Sequence, residues 1–237
     1  MQILISLFNT VLFRPLFNAL VLLYQFMPGR DFGLAVIILT VLIRLIIYPL
    51  MAKSIKSQKM LSEIQPKIQE IQQKHKDDKE RQAKEMMALY QKEKANPFGG
   101  CLPLLIQLPI MIALYRVFWK GFAPETLNYL YSFVPNPGAI DPTFIGLIDL
   151  SQPFVLLAIL AGIVQFFQSK MMMPKQAKKT GQSDQMAKFS NMMQKQMIYF
   201  FPFFTVIILL NFPSAIALYW IVTALFSIFQ QKIIFKK

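Results

Sequence analysis

FGLAVIILTVLIRLIIYPL, residues 32–50, decides what kind of protein this is. The run is close to the ~20 apolar residues that a membrane-crossing helix needs. A helix on a soluble core would interleave polar residues at a period near 3.6; this stretch holds one charge, Arg44. Four further stretches read the same way, at 101–119, 152–169, 197–212 and 214–230. They explain why 55% of the 237 residues are hydrophobic, above the ~45–50% of a soluble domain. The expected fold is an all-α membrane protein with five transmembrane helices.

The formal net charge is +13, and it lies almost wholly between the apolar runs. Residues 53–95 carry eleven Lys or Arg, 170–196 carry six and 232–237 carry three, whereas 121–150 carry none. Basic connections stay on the cytoplasmic side. Five spans with an external N-terminus satisfy every connection, with 121–150 outside and the C-terminus in the cytoplasm. The reading is a multi-pass inner-membrane protein. Residues 1–13 lack the basic start of a signal peptide, so the N-terminus is expected to be retained.

Residues 1–31 are expected to form an N-terminal interfacial segment. Arg14-Pro15 divides 1–27 into pieces of about a dozen residues, too short to span, which favours a helix from Pro15 to Met27 lying on the outer face. The alternative is a sixth span. Residues 32–237 form the five-helix core, and within it 53–95 read as a cytoplasmic helical hairpin. Met60, Leu61, Ile64, Ile68 and Ile71 make an apolar stripe on one arm, and Ala83, Met86, Met87 and Tyr90 make one on the other. Pro66 is expected to kink the first arm. Asp77 and Glu80 have capping-box spacing for the second. The exposed tip, Asp77, Asp78, Lys79 and Glu80, is the candidate contact surface; packing of the two stripes on each other is the plainer role of the hairpin.

Arg44 is the candidate functional residue. From a helix start near Phe32 it lies about 18 Å into the span, and its guanidinium stays charged. A charge at such depth costs about 2.5–3.5 kcal/mol on insertion scales, yet no Asp or Glu occurs in any of the five stretches. One outcome is snorkelling to the headgroups. The other is a hydrated cavity open to the cytoplasm, lined by Thr40 one turn earlier and by Gln107, Gln165, Gln168, Thr205, Thr223 and Ser227. Arginine does not relay protons, no base stands at depth for a hydrolase, and no acidic ring stands there for a cation channel. A fixed solvated charge suits transient attraction of acidic or polar segments of a polypeptide that must cross. Cys101 and His75 are each the one residue of its type, so no Cys-His pair, metal cage or cofactor site is expected, and no enzymatic activity. No specific nucleic-acid recognition is expected either.

Two more features bear on transport. Residues 197–230 must cross twice in 34 residues, where two full spans need about 40, and short spans thin the bilayer. Met171, Met172, Met173, Met186, Met192, Met193 and Met197 offer an adaptable apolar surface, as helix-end packing or as a slide for varied client helices.

Several segments resemble the YidC/Oxa/Alb family of membrane protein insertases, in order and spacing. They are Arg44-Leu45-Ile46-Ile47-Tyr48-Pro49-Leu50, Gln65-Pro66-Lys67-Ile68, Glu85-Met86-Met87-Ala88-Leu89-Tyr90, the run Asn96–Pro109, and Phe212-Pro213-Ser214 with Leu218-Tyr219-Trp220. The resemblance implies five helices around a hydrophilic groove, with Arg44 as the groove arginine, Thr40 beside it, and Tyr219 and Trp220 as groove-lining aromatics. It implies an insertase and chaperone that moves polar client segments across the membrane and releases apolar helices into lipid. Nascent membrane proteins, the ribosome, the Sec translocon and membrane lipids are the implied partners, and no cofactor is implied. The short basic tail, Lys232, Lys236 and Lys237, departs from the long tails of some members, as does Ala215 where glycine is common. The runner-up is a membrane scaffold or assembly chaperone without translocation activity.

Overall fold

In the structure, a computed structural model that describes residues 2–96, 99, 102–121, 123–171, 192 and 196–236, Arg14-Pro15 does not end a helix. Helix α1 (Gln2–Phe8) passes through a π-helical turn, Asn9–Phe13, directly into α2 (Arg14–Phe26). The Arg14 N–H reaches the Asn9 carbonyl, five residues back. A π-turn re-pairs the backbone where proline removes a donor. The expected break is therefore absent, and Ile5–Phe26 is long and apolar enough to cross a membrane by length and composition.

Its contacts describe its position better than its length does. Asn18 Nδ2 donates to the Tyr129 carbonyl at 3.0 Å and Asn18 Oδ1 accepts from the Tyr131 N–H at 2.6 Å. Gln25 donates to the Pro135 carbonyl, and the Tyr24 hydroxyl accepts from the Asp141 N–H. These side-chain hydrogen bonds reach one connection, 121–150, while the helix also packs against the next one, Phe32–Ile46, and buries Phe17, Leu20 and Val21 in the main core.

Asp31 starts α3 (Phe32–Ile46). One carboxylate oxygen accepts from the Leu34 N–H at 2.8 Å, an N-cap, and the other accepts from the Ile145 N–H. At Ile47 the chain bends by 67° into α4 (Tyr48–Lys74). Pro49 stands in the first turn of α4, where its missing N–H is tolerated. The span expected over 32–50 therefore stops at Ile46. Helix α4 continues through Pro66, where a kink was expected, to Lys74. It folds back onto α5 (Lys79–Lys92), whose N-cap is Asp78 accepting from the Arg81 N–H at 2.9 Å. The cap thus lies one residue beyond the expected Asp77, because the turn closes with the Asp78 N–H on the His75 carbonyl. Between the arms Ile64, Ile68 and Ala95 are buried with Met60, Leu61, Met86, Leu89 and Tyr90 around them; Met87 faces outward instead.

Helix α6 (Leu102–Lys120) returns to the first end, where the 121–150 connection holds a short antiparallel pair, β1 (Thr143–Phe144) and β2 (Ile148–Asp149). Helix α7 (Val155–Met171) leaves from it. A π-helical turn, Gln196–Phe200, leads into α8 (Phe201–Leu209), and α9 (Ser214–Lys236) completes the bundle. The start of α9 is pinned by the Ser214 N–H on the Gln152 carbonyl and the Ala215 N–H on the Leu150 carbonyl.

Small residues set the spacing of the bundle. Ala35, Ala158, Ala161, Ala215 and Ala217 are buried in the main core, and such residues let helices approach closely in a membrane. Gly162 on α7 faces Val206 and the Pro202 carbonyl so closely that a Cβ there would collide. The outer faces stay apolar, with Leu156, Leu160 and Phe167 on α7 and Phe203 and Phe204 on α8 exposed. Exposed apolar surface on this scale marks contact with lipid or a partner. The chain is an all-α membrane protein. Ser214–Phe235 also passes the length and composition test for a span, and the bent pair Phe32–Ile46 with Tyr48–Lys74 is a third candidate. Leu105–Trp119, Val155–Met171 and Ile198–Leu209 are shorter apolar helices. Met172, Met173, Met186, Met193, Cys101 and Lys237 lie outside the described residues.

Candidate functional site

Arg44 sits in the last turn of α3, just before the bend, with 4% of its surface exposed. That turn is the C-terminal, negative end of the helix dipole, where a cation gains about 0.3–1 kcal/mol. This offsets part of the cost of a charge that has no acid nearby. Arg44 Nη2 donates to Gln107 Oε1 on α6 at 2.9 Å. Gln107 Nε2 in turn donates to the Tyr219 hydroxyl on α9. The carboxamide orientation follows from its neighbours, since a guanidinium only donates. One seam of hydrogen bonds therefore ties α3, α6 and α9 together.

A second link lies beside it. Trp220 Nε1 donates to Gln165 Oε1 on α7 at 2.6 Å. Consecutive residues of α9 thus reach α6 and α7, so the adjacent Tyr219 and Trp220 serve different helices. Gln107 and Trp220 are half-buried, while Thr40, Gln165 and Tyr219 are buried.

Three of the hydroxyls expected to line a cavity with Arg44 bond within their own helices. Thr40 donates its hydroxyl to the Val36 carbonyl at 2.6 Å, Thr205 to the Phe201 carbonyl and Ser227 to the Thr223 carbonyl. Each is a bond back to its own helix, which leaves lone pairs, not donors, to face the interior. Arg44 itself keeps unused capacity: among the described residues Nη1 is buried and has no hydrogen-bond partner. A buried charged donor without an acceptor is costly, so this atom is the point in the bundle with the strongest demand for a polar guest.

The seam joins an early turn of α6 to an early turn of α9. Gln107 is five residues from the start of α6, and Tyr219 five from the start of α9 at the opposite end. At about 1.5 Å per residue, each is only about 7.5 Å along its helix from that end.

The hairpin residues occupy a separate place. Asp77, Asp78, Lys79 and Glu80 are all exposed at the turn, well apart in sequence and in contacts from the seam. His75 is buried beneath them, with Nε2 at 3.0 Å from Glu85 Oε2. At the other end of the hairpin Lys67 Nζ lies 2.6 Å from Glu93 Oε1. The lysine holds the Glu93 carboxyl below its usual pKa. The contribution of the pair is therefore present at neutral pH and fades as pH falls through that lowered pKa. Both side chains are partly exposed, so it is small.

Sequence reasoning did not find the struts that fix the seam from below. Ser54 donates to the Gly99 carbonyl and Ser57 to the Asn96 carbonyl at 3.1 Å, clamping α4 to the chain entering α6. Gln230 donates to the Tyr48 carbonyl at 3.1 Å and is buried. The available signal was a serine pair three residues apart facing an Asn-Pro turn; serine on a charged helix is otherwise unremarked. Among the described residues no group of three or more His, Cys, Asp or Glu could hold a metal ion.

Residues 22–237 match the protein family described as 60Kd inner membrane protein. A membrane protein insertase YidC of Fusobacterium nucleatum subsp. nucleatum is 36% identical over 207 residues, covering 87% of this chain and 87% of that protein. Membrane protein insertase MisCA of Bacillus subtilis is 36% identical over 214 residues, 88% of this chain and 72% of that one. The YidC insertase of Wolinella succinogenes is 36% identical over 229 residues, 97% of this chain but 38% of the relative. An apolar bundle in which a buried arginine donates to a glutamine that in turn donates to a tyrosine, matched over most of its length, belongs to the 60Kd inner membrane protein family, that of the YidC insertases.

Proposed function

We propose that this inner-membrane protein is an insertase, which guides membrane protein clients into the bilayer and moves their polar segments across it. The observation that supports the reading is the Arg44 guanidinium, a permanent charge inside an apolar bundle with an unspent donor at Nη1 and no acid to neutralise it. Arg44, Thr40, Gln107, Gln165, Tyr219 and Trp220 form the client-binding groove. Arg44 attracts acidic or carbonyl-rich client segments. The Gln107 and Gln165 carboxamides exchange hydrogen bonds between client and bundle. Tyr219 and Trp220 supply rigid amphipathic surface. The protein makes and breaks no covalent bond in this process.

Five helices cross the membrane in this reading: α3, α6, α7, the Gln196–Leu209 segment with α8, and α9. Their short lengths, against a hydrocarbon core of about 30 Å, thin the bilayer near the groove and shorten the polar path across it. The N-terminus and the 121–150 connection are outside, with α2 lying on the outer face. The hairpin and C-terminus are in the cytoplasm, where the Asp77–Glu80 tip contacts the ribosome or the Sec translocon. The insertase core is 32–237, and 1–31 is an interfacial addition to it.

The test is photo-crosslinking in the full chain. A stalled nascent membrane protein is expected to crosslink to probes at Gln107 and Trp220 and not to a probe at Phe203 on the outer face of α8. Crosslinks only at Phe203 would favour a scaffold that holds clients on its surface. The orientation is tested by labelling. Cysteines placed at Asn136 and at Lys79 are expected to react with an impermeant reagent from opposite sides, Asn136 from outside; reaction of both from one side sinks the topology.

A further inference from the structure

A groove lies in the bundle away from Arg44. It lies between the far ends of α7 and α9, has a volume of about 470 Å³, and is lined by Val164, Phe167, Leu225 and Ile228 with Lys170 and Lys232. Ligand sites commonly have volumes of ~300–1,000 Å³. The two lysines stand at one end of an otherwise apolar trough. Phe167 and Leu225 are more than half exposed, so the trough opens sideways on the lipid-facing side of the bundle.

We propose that this groove is a binding site for an anionic phospholipid, with an acyl chain along Val164, Phe167, Leu225 and Ile228 and the phosphate between Lys170 and Lys232. The inference is independent of the client-binding reading. Its first support is geometric. Phe167 precedes Lys170 by three residues and Ile228 precedes Lys232 by four, so each lysine stands about 4.5–6 Å along its helix beyond the apolar floor, which reaches back another turn to Val164 and Leu225. A glycerophospholipid places its charge and its hydrocarbon in that same order. The starts of α7 and α9 are joined at the 121–150 end, so both lysines lie at the opposite end, where a headgroup would be.

The second support is charge complementarity. Among the described residues neither Lys170 nor Lys232 has an ion-pair partner. Two lysines repel a second copy of a chain with net charge +13. An anionic lipid is attracted, and each basic residue near an anionic membrane surface strengthens association about fivefold.

The full chain in detergent is titrated with phosphatidylglycerol and with phosphatidylcholine of identical acyl chains, and bound lipid is counted by native mass spectrometry. Tighter binding of one phosphatidylglycerol is expected. Lys170→Gln and Lys232→Gln should each weaken it about fivefold, and together about 25-fold, with phosphatidylcholine unchanged. Lys53→Gln with Lys56→Gln, which removes the same charge elsewhere, should leave it intact. Leu225→Trp keeps both lysines but fills the trough, and should also lose the lipid. Equal affinity for the two lipids, or equal loss in the Lys53/Lys56 control, overturns the proposal. Displacement by glycerol phosphate alone, with Leu225→Trp still binding it, would make this a free-phosphate site and overturn the lipid. Each variant is first shown to be helical and monodisperse, and the single-lysine variants carry the test if the pair does not fold.

Discussion

Arg44→Ala is expected to leave a folded bundle and to lower insertion of clients with an acidic translocated segment about tenfold, the equivalent of about 1.4 kcal/mol of lost attraction. The fold survives because no buried acid is left unpaired, and Gln107 is half-buried and can turn to water. Wholly apolar clients are expected to lose much less, since their insertion is driven by hydrocarbon rather than by charge. Arg44→Lys should recover most of the acidic client. An ammonium keeps the charge and loses only the planar fork of donors. The measurement is an insertion assay with paired clients differing in one translocated carboxylate. Equal loss for both clients would mean that the charge is not read. Aggregation of Arg44→Ala would mean that the arginine holds the helices together.

Gln107→Leu is expected to lower bundle stability more than Arg44→Ala does, by about 2–3 kcal/mol. The substitution strips Arg44 of its protein acceptor, and a buried charged donor left unmade costs more than a neutral one. It also removes the donor to the Tyr219 hydroxyl, so the link from α3 to α9 through α6 is cut twice. Adding Arg44→Met to Gln107→Leu should restore much of the loss. Exchanging a whole buried polar pair for apolar side chains is often neutral, whereas breaking it is not. Thermal unfolding of the two single variants and the double in one detergent closes the cycle. Additive losses in the double would show that Arg44 and Gln107 do not depend on each other. The same double should still fail with acidic clients, which separates stability from insertion.

Much of this architecture was legible in the chain because a bilayer imposes simple rules. Apolar runs of span length marked α3, α6, α7, α8 and α9, and Arg44 inside the first of them marked the seam. Boundaries were less legible where proline acts by geometry. Pro49 ends α3 at Ile46 and bends the chain, although the apolar run continues to Leu50. Pro66 leaves α4 intact, and Arg14-Pro15 is absorbed by a π-turn. One residue type gave three outcomes, because the neighbouring backbone decides whether the missing N–H finds a substitute. The apolar stripes of the hairpin were likewise legible, but their register was set by the turn at His75–Asp78, which turned Met87 outward.

Sequence by itself determined that the chain belongs in a membrane, that its charges segregate between its apolar runs, and that Arg44 has no acidic partner within them. Composition and order suffice there, because burying a charge or a bare backbone in hydrocarbon costs several kcal/mol whatever the fold. Tertiary structure alone decided which polar groups meet. Arg44, Gln107 and Tyr219 come from helices 63 and 112 residues apart in the chain, Thr40 turns its hydroxyl back on its own helix, and Lys170 and Lys232 line one trough. Those outcomes rest on helix crossing and rotation, set by buried alanines and Gly162, and a side chain's hydrogen-bond partner is fixed only once the backbones have closed to within a few ångströms.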